Sequence, residues 1–457
     1  MTTAEKLAAG IRIPTVAQPD NPIEERARLE AWQSLMVDLF PRVHATLTVE
    51  ASDPYRLVYR WELSGGDTGS TRRPLLLMAH YDVVPADGEG WSVDPFAGVI
   101  RDEAVWGRGA LDNKLSHIAI LQAVEELIES GFTPTRPVYL AFGGDEEIGG
   151  GRGAHEIAET FRERGIRFAV TLDEGAIIAD GIVPGVASPV ALIGCGEKGH
   201  VNFRITVTSR GGHASNPPPH DAAVTFARVL SRLLGRRMRP RRTATVTAFI
   251  RAFGTVLGGI NGGLLRGYPA TAPLVHRVLA ASPETDSMIR DTQVLTMLSG
   301  SDAPNVLPRT LRGNINVRLL PGSTVDGVLA DMKRRIERSV LRGSLSGSVT
   351  IEPAPGVDNM EAPPESPASG PAYDTLSRVI ATVWPGTPVL PYLVTATTDS
   401  RHYASVSDTV YRFLPYVLTR EDIAGIHGVD EHVRLENIDR AVAFYRTWIE
   451  THDGADL

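Results

Sequence analysis

The apolar pattern of this 457-residue chain predicts an α/β protein, with a mixed, mostly parallel sheet covered by helices on both faces and a smaller α+β unit inserted into it. Between residues 74 and 200, short apolar runs alternate with segments of helical periodicity. Near residue 200 the texture changes to strict two-residue alternation, the mark of a sheet with one exposed face. The elements that follow come in the order β-α-β-β-α-β, the split arrangement of small ferredoxin-like domains.

Taken in order, PLLLMAH (74–80), PVYLAF (137–142) and FAVTLD (168–173) read as buried strands. Between the first two lies a helix that carries Leu115, Ile118, Leu121, Val124, Leu127 and Ile128 at three-four spacing, with Gly131 as its stop. VNFRITVTS (201–209) sets Val201, Phe203, Ile205 and Val207 on one face. A helix at 219–235, strands at 292–299 and 311–319, a helix at 324–340 and a strand at 347–353 complete the smaller unit. The segment 236–291, rich in Arg, Gly and Pro, reads as an insertion inside it, and 353–371 reads as a linker. TVYRFLPY (409–416) is strand-like and ENIDRAVAFYRTWIETH (436–452) is an amphipathic helix. The expected division is a first domain of 1–199 completed by 356–457, with 200–355 as a second domain.

Composition narrows the function classes. Hydrophobic residues make up 42% and charged residues 22%, an ordinary balance for a globular chain. A net charge of −8 argues against a nucleic-acid partner, which needs clustered basic charge. The one basic cluster, GRRMRPRR (235–242), is short and is expected to be a solvated loop. Cys195, the single cysteine, has no partner for an intramolecular disulfide and follows an apolar VALIG run, as a buried structural thiol does. The first residues, MTTAEKLAAGIRIPTVAQ, lack a signal-peptide core, and no window approaches the ~18 apolar residues of a membrane span. A cytoplasmic protein without a membrane partner is expected.

The stretch AFGGDEEIGGG (141–151) sets Asp145, Glu146 and Glu147 in a row where a buried strand ends. Like charges crowd in this way where a cation or a proton-transfer task needs them. Two other strands end in ligand types, His80 and Asp82 in AHYDVVP and Asp173 in LDEG. Asp112 precedes the helix near Leu115, and His427 follows in GIHGVDEH. Each alone has a structural explanation: Asp112 as a helix N-cap, His80 as a core histidine, Asp173 as a turn cap, His427 as a loop residue. Together they converge outside the carboxyl ends of the strands, where α/β sheets gather functional groups, and histidine with carboxylates suits zinc or another borderline metal. A phosphate loop at GGDEEIGGGRG is rejected, because the GK[ST] ending is missing and acids stand where phosphates would sit.

The ordered set AHYDVVP, WSVDPFAG, VWGRGALDNK, GGDEEIGGGRG, LDEG, RGGHAS, NVLP, NVRLLPG, TDSRHY and IHGVDE resembles the metallopeptidase family of acetylornithine deacetylase, succinyl-diaminopimelate desuccinylase, aminoacylase and carboxypeptidase S. The likeness runs from about residue 10 to about residue 450 and is greatest to the carboxypeptidase S and N-fatty-acyl amino acid hydrolase branch. It implies a zinc exopeptidase-like catalytic domain with an inserted lid domain, and two zinc ions, replaceable by cobalt or manganese. Asp112 would bridge the ions, His80 and Asp173 would hold one, and Glu147 and His427 the other. Asp82 would orient His80, and Glu146 would be the general base toward a water activated by the metals. The resemblance also implies a cis peptide bond between Asp112 and Asn113. His213 would steady the oxyanion, often from a second subunit, which would make a homodimer through the lid, whereas in some relatives an extra segment, here the insertion at 236–291, substitutes for that subunit. Arg318 and Asn305 match substrate-holding positions, as do Thr398 and Arg401, although Ala396 and Thr397 replace the family's flexible glycine-containing pair. Asp145 would be a solvated neighbour. The implied activity is hydrolysis of an N-acyl amino acid or short peptide next to a free carboxylate. The alternatives are a dipeptidase or carboxypeptidase of the same family, or an inactive binder of acylated amino acids.

Overall fold

The run Leu75–His80 offers no polar side chain before its last residue, so it is stable only with both faces covered. A computed structural model, which describes all residues except 19–20, 64–71, 219, 301–302, 341–347 and 357–358, buries all six of its residues. It pairs in parallel with Val138–Gly143 on one side and Phe168–Asp173 on the other, strands that are equally buried. Around these three the sheet grows to ten strands among the described residues. Ser407–Arg412 joins in parallel beside Phe168–Asp173, and Val190–Glu197 follows antiparallel. Val389–Val394 pairs in parallel with Val190–Glu197, so the C-terminal part of the chain rejoins the first sheet. Thr48–Asp53 and Arg56–Trp61 close the opposite edge as an antiparallel pair. The sheet is therefore mixed, with a parallel centre.

Helices cover both faces. Lys114–Glu129, the helix legible from its Leu115 to Ile128 spacing, packs between the sheet and the C-terminal helix Leu435–Asp453. The opposite face is covered by Ala154–Glu163 and the turns Asp399–Ser405, with Phe161, Phe168 and Tyr403 in one apolar cluster.

The second sheet has four antiparallel strands in the order Thr292–Ser299, Thr310–Leu319, Gly199–Thr208, Ser348–Pro353. Its helices Ala222–Leu234 and Val325–Val340 cover one face, and Val201, Phe203, Ile205 and Val207 form its core with Phe226, Val229 and Met332. This is the predicted β-α-β-β-α-β order. The interposed segment, read only as an insertion, folds into helices at Ala244–Leu257, Gly259–Arg266, Ala272–Leu279 and Pro283–Ile289. These bury Val246, Phe249 and Ile250 against Leu390 and Leu393 of the large sheet. Among the described residues, no helix is long and apolar enough to cross a membrane.

Only Lys198 separates strand Val190–Glu197 of the large sheet from strand Gly199–Thr208 of the small one. Glu197 Oε2 accepts from Arg412 Nε at 2.8 Å and from the Thr398 hydroxyl at 3.0 Å, both on the large-sheet side. Lys198 Nζ donates to the carbonyls of Ser287 and Arg290 at 3.0 Å, on the insertion side.

Leu121 is wholly buried between the sheet and the C-terminal helix. Leu121→Ala is expected to cost about 2–5 kcal/mol, the transfer term plus the cavity left behind, and to lower the thermal midpoint without altering the metal content of the protein.

Candidate metal centre

Parallel strands deliver their carboxyl ends to one edge, so the residues that end them share a cleft. His80 ends its strand there, and its Nε2 lies 3.0 Å from Asp112 Oδ1 and 3.3 Å from Glu174 Oε1. The other oxygen of the same aspartate, Asp112 Oδ2, lies 3.0 Å from His427 Nε2, which is also 3.2 Å from Glu147 Oε2. One carboxylate thus faces two histidines from opposite sides. The Asp112–Asn113 peptide is cis, as the resemblance implies. His427 adopts φ 58°, a left-handed backbone conformation uncommon outside glycine and typical of residues held for function.

Asp82 is fully buried and joins the two halves of the cluster. Its carboxylate lies 3.3 Å from His80 Nδ1, on the ring side away from Asp112, and accepts the backbone N–H of Glu146 at 3.1 Å and of Glu147 at 3.0 Å. Glu146–Ile148 is a single 3-10 turn, and Gly149 and Gly150 leave it at φ 106° and 65°. A side chain at Gly150 would also collide with the Asp399 carboxylate, which explains the glycine there.

Asp145 is not solvated. It is 2% exposed and accepts the N–H groups of Arg152 at 2.7 Å and Gly153 at 2.8 Å, which fold the chain back behind the turn. A second buried carboxylate, missed in the sequence, does similar work for Asp112. Glu431 accepts from Arg108 Nη1 at 2.6 Å and from the N–H groups of Gly109, Leu111 and Asp112 at 3.2, 2.8 and 3.2 Å. Its signal was the acid of GVDE four residues after His427.

At LDEG the structure departs from the expectation. Glu174 faces His80, whereas the Asp173 carboxylate accepts the Ser400 N–H at 2.8 Å. Strand alternation explains the exchange: successive side chains leave opposite faces, so Asp173 and Glu174 cannot both turn to His80. Thr398 and Arg401 depart from it too. Thr398 is 3% exposed with its hydroxyl on Glu197, and the Arg401 guanidinium donates to the Gly149 carbonyl at 2.6 Å, so both groups brace the loop. His213 and Asn305 come together on a two-stranded ribbon, Gly212–His213 against Val306–Leu307, and both are exposed. Arg318 lies on the small sheet opposite His200. Among the described residues, none of these three reaches the cluster by hydrogen bond or ion pair.

Comparison with known proteins places this geometry. A sequence profile described as peptidase family M20/M25/M40 matches residues 76–451. The chain belongs to that family. It is 34% identical over 450 residues to N-fatty-acyl-amino acid synthase/hydrolase PM20D1 of Xenopus tropicalis, covering 98% of this chain and 85% of the relative. It is also 34% identical, over 447 residues, to probable carboxypeptidase S-like 2 of Dictyostelium discoideum, covering 97% and 83%. The fold is that of the M20 family metallo-carboxypeptidase Sso-CP2 from Sulfolobus solfataricus, with a TM-score of 0.69 at 16% identity over 99% of each chain. This M20 chain is a metal-dependent hydrolase of the metallopeptidase and amidohydrolase type.

The residues present fit divalent cations. His80, Glu146 and Glu174 bring one donor atom each within 4.8 Å of one another, and so do Asp112, Glu147 and His427. Glu147 Oε1 is buried with no hydrogen-bond partner, a costly state that a cation would relieve. Without a cation, protons must stand in. Burial pushes Glu146 well above the usual carboxylate range and Glu174 up to about 8. Hydrogen bonds to Asp112 and Glu147 push His427 up to about 10. Burial opposes the charge on His80, yet Glu174, Asp112 and Asp82 outweigh it and hold its pKa well above the ordinary value.

A sign follows for the metal-stripped M20 chain. A carboxyl raised from 4.5 to about 8, as in Glu174, contributes stability that is full below about pH 4.5 and lost as pH rises through 8. The contribution of His427 is full below 6.5 and lost toward about 10. Thermal stability of the stripped protein is therefore expected to fall from about pH 5 to about pH 8 and to recover on adding zinc. Melting curves check it, and Glu174→Gln should flatten the slope.

Proposed function

We propose that this protein is a two-zinc amidohydrolase that cleaves the amide bond of an N-acyl amino acid or short peptide next to a free carboxylate. The observation that carries the reading is Asp112, each of whose oxygens lies 3.0 Å from the Nε2 of a different histidine, the arrangement a bridging ligand requires. His80 and Glu174 would complete one zinc site, with Glu174 in the place expected for Asp173. Glu147 and His427 would complete the other. Zinc at such a pair polarises a carbonyl and makes water acidic near neutral pH.

The chain's own residues do the remaining work. Glu146, raised by burial and held by Asp82 through its backbone, takes the proton of the attacking water and delivers it to the departing amide nitrogen. Asp82 keeps His80 in one orientation, as carboxylates behind metal-bound imidazoles do. Arg318 holds the substrate carboxylate. In support, its guanidinium is half-buried, burial lowers its pKa, and it has no hydrogen-bonding or ion-pair partner among the described residues. An arginine fork binds a carboxylate through two parallel bonds.

Residues 200–355 act as a lid over a catalytic body of 1–199 and 356–457, and the lid brings His213, Asn305 and Arg318 to the substrate. A homodimer through the lid is supported by its edge strand Thr292–Ser299, which exposes Val294, Met297 and Leu298. The single cysteine, Cys195, whose thiol burial pushes up to about 12, is in keeping with a reducing, cytoplasmic setting.

Glu146→Gln is expected to keep its metals and lose about 10²–10⁴ in kcat, whereas Glu147→Gln loses metal. Metal analysis beside steady-state kinetics separates the two, and near-normal turnover in both variants would refute the assignment. A panel of N-acyl amino acids and dipeptides decides between deacylase and peptidase.

Arg318→Lys is expected to lower kcat/KM strongly, because an ammonium cannot reproduce the fork. The C-terminal amide of a good substrate should be a poor one. Equal kcat/KM for acid and amide would rule the carboxylate role out.

A further inference from the structure

The basic stretch 235–242 is a loop exposed at every residue but Met238, as expected, yet it is anchored to the body of the protein. The Met238 side chain is buried in the core of the small unit, and its carbonyl accepts from Arg290 Nη1 at 2.6 Å. Arg241 is tied to the Gly322 carbonyl at 3.0 Å. Pinned in this way, the stretch forms one wall of a cleft of about 960 Å³, and the other wall is helix Val325–Val340 from Gly327 to Arg335 with the turn before it. Beneath lies buried Asp291, which accepts the Leu320 N–H at 2.7 Å and the Ser323 hydroxyl at 2.8 Å.

Seven arginines line the cleft against two aspartates, in a chain whose net charge is −8. Both aspartates are already engaged: Asp291 as above, and Asp331 by Arg334 at 3.3 Å and Arg335 at 2.6 Å. The guanidinium groups of Arg232, Arg236 and Arg239 have no hydrogen-bonding or ion-pair partner among the described residues, whereas Arg237 Nη1 donates to the Ala280 carbonyl at 3.1 Å and reaches Asp286 at 3.5 Å. Guanidinium groups crowded on a fixed frame repel one another unless an anion stands between them. We propose that this cleft is a binding site for a ligand carrying a di- or triphosphate chain.

The choice of ligand follows from charge, shape and size. A phosphate chain offers several charges and many acceptor oxygens, which arginine forks bind in pairs. The concavity is of the size that takes small molecules, roughly 300–1,000 Å³. A long nucleic acid would need an extended basic face, against which the net charge of −8 argues. The site is separate from the metal centre, since none of its lining residues belongs to the cluster.

The test is calorimetry of the metal-loaded protein with inorganic triphosphate and with ATP at fixed ionic strength. One saturable site per chain is expected, with affinity that falls steeply as salt is raised. The double variant Arg236→Ala/Arg239→Ala should bind at least about tenfold more weakly, a loss of about 1.4 kcal/mol, while its basal hydrolase activity is unchanged. Phosphate chains also bind metals, so Glu147→Gln serves as the control and should keep the site. Equal affinity for triphosphate and ATP assigns recognition to the phosphate chain alone, and tighter ATP adds a contact to the nucleoside; both support the site. Absence of saturable binding, equal binding by the double variant, loss of binding in Glu147→Gln, or tighter binding of a short RNA than of ATP would overturn it.

Discussion

Asp82 carries one carboxylate on which the His80 and Glu146–Glu147 parts of the candidate metal centre lean. It faces the Nδ1 side of His80 and holds the backbone N–H of both Glu146 and Glu147, so two strand ends that are 64 residues apart in sequence are fixed by the same two oxygens. The constraint is electrostatic before it is geometric. Five further acids, Asp112, Asp145, Glu146, Glu147 and Glu174, lie in or beside this edge, and buried like charges repel strongly unless each is answered by donors or a cation. Asp82 and Asp145 are answered by backbone N–H groups, a solution that costs no further charge. The acids left without such donors are those that face the histidines.

The far side of the cluster solves the same problem with Glu431. Three backbone N–H groups and Arg108 surround its carboxylate, and Arg108 also reaches the Gly428 carbonyl at 2.8 Å. The segment that carries Asp112 and the loop that carries His427 are bound as one piece, although about 315 residues separate them. A buried ion pair of this kind adds little to net stability but fixes one arrangement against others. Here the arrangement fixed is the facing of Asp112 and His427.

Much of this was legible in the sequence, for identifiable reasons. Strand ends were marked by apolar runs that stop at His80, Gly143 and Asp173, and period-two alternation marked the small sheet from Val201 to Val207. Motif order brought Asp112 and His427 to the same edge, which no local pattern shows. What the sequence concealed depends on side-chain direction. LDEG presents two adjacent acids, and only the strand's phase decides that Glu174 and not Asp173 meets His80. The burial of Asp145 rests on two N–H groups seven and eight residues later, a turn that composition describes only as glycine-rich. The helices of the insertion escaped because Gly and Arg obscure their apolar faces, although Phe249 and Ile250 are buried.

The near-continuous ribbon from Val190 to Thr208 makes Lys198 the one-residue junction of the two sheets. Glu197 is held there by Arg412 and Thr398 of the large-sheet side, and Lys198 by the carbonyls of Ser287 and Arg290 in the insertion that packs on the large sheet. Glu197 also holds the Thr398 N–H at 3.2 Å, and Arg401, three residues further on, grips the carbonyl of Gly149, whose N–H closes the turn onto the Glu146 carbonyl. One short train of contacts (junction, glutamate, loop, arginine, turn) thus runs from the meeting point of the two sheets to the Glu146 turn.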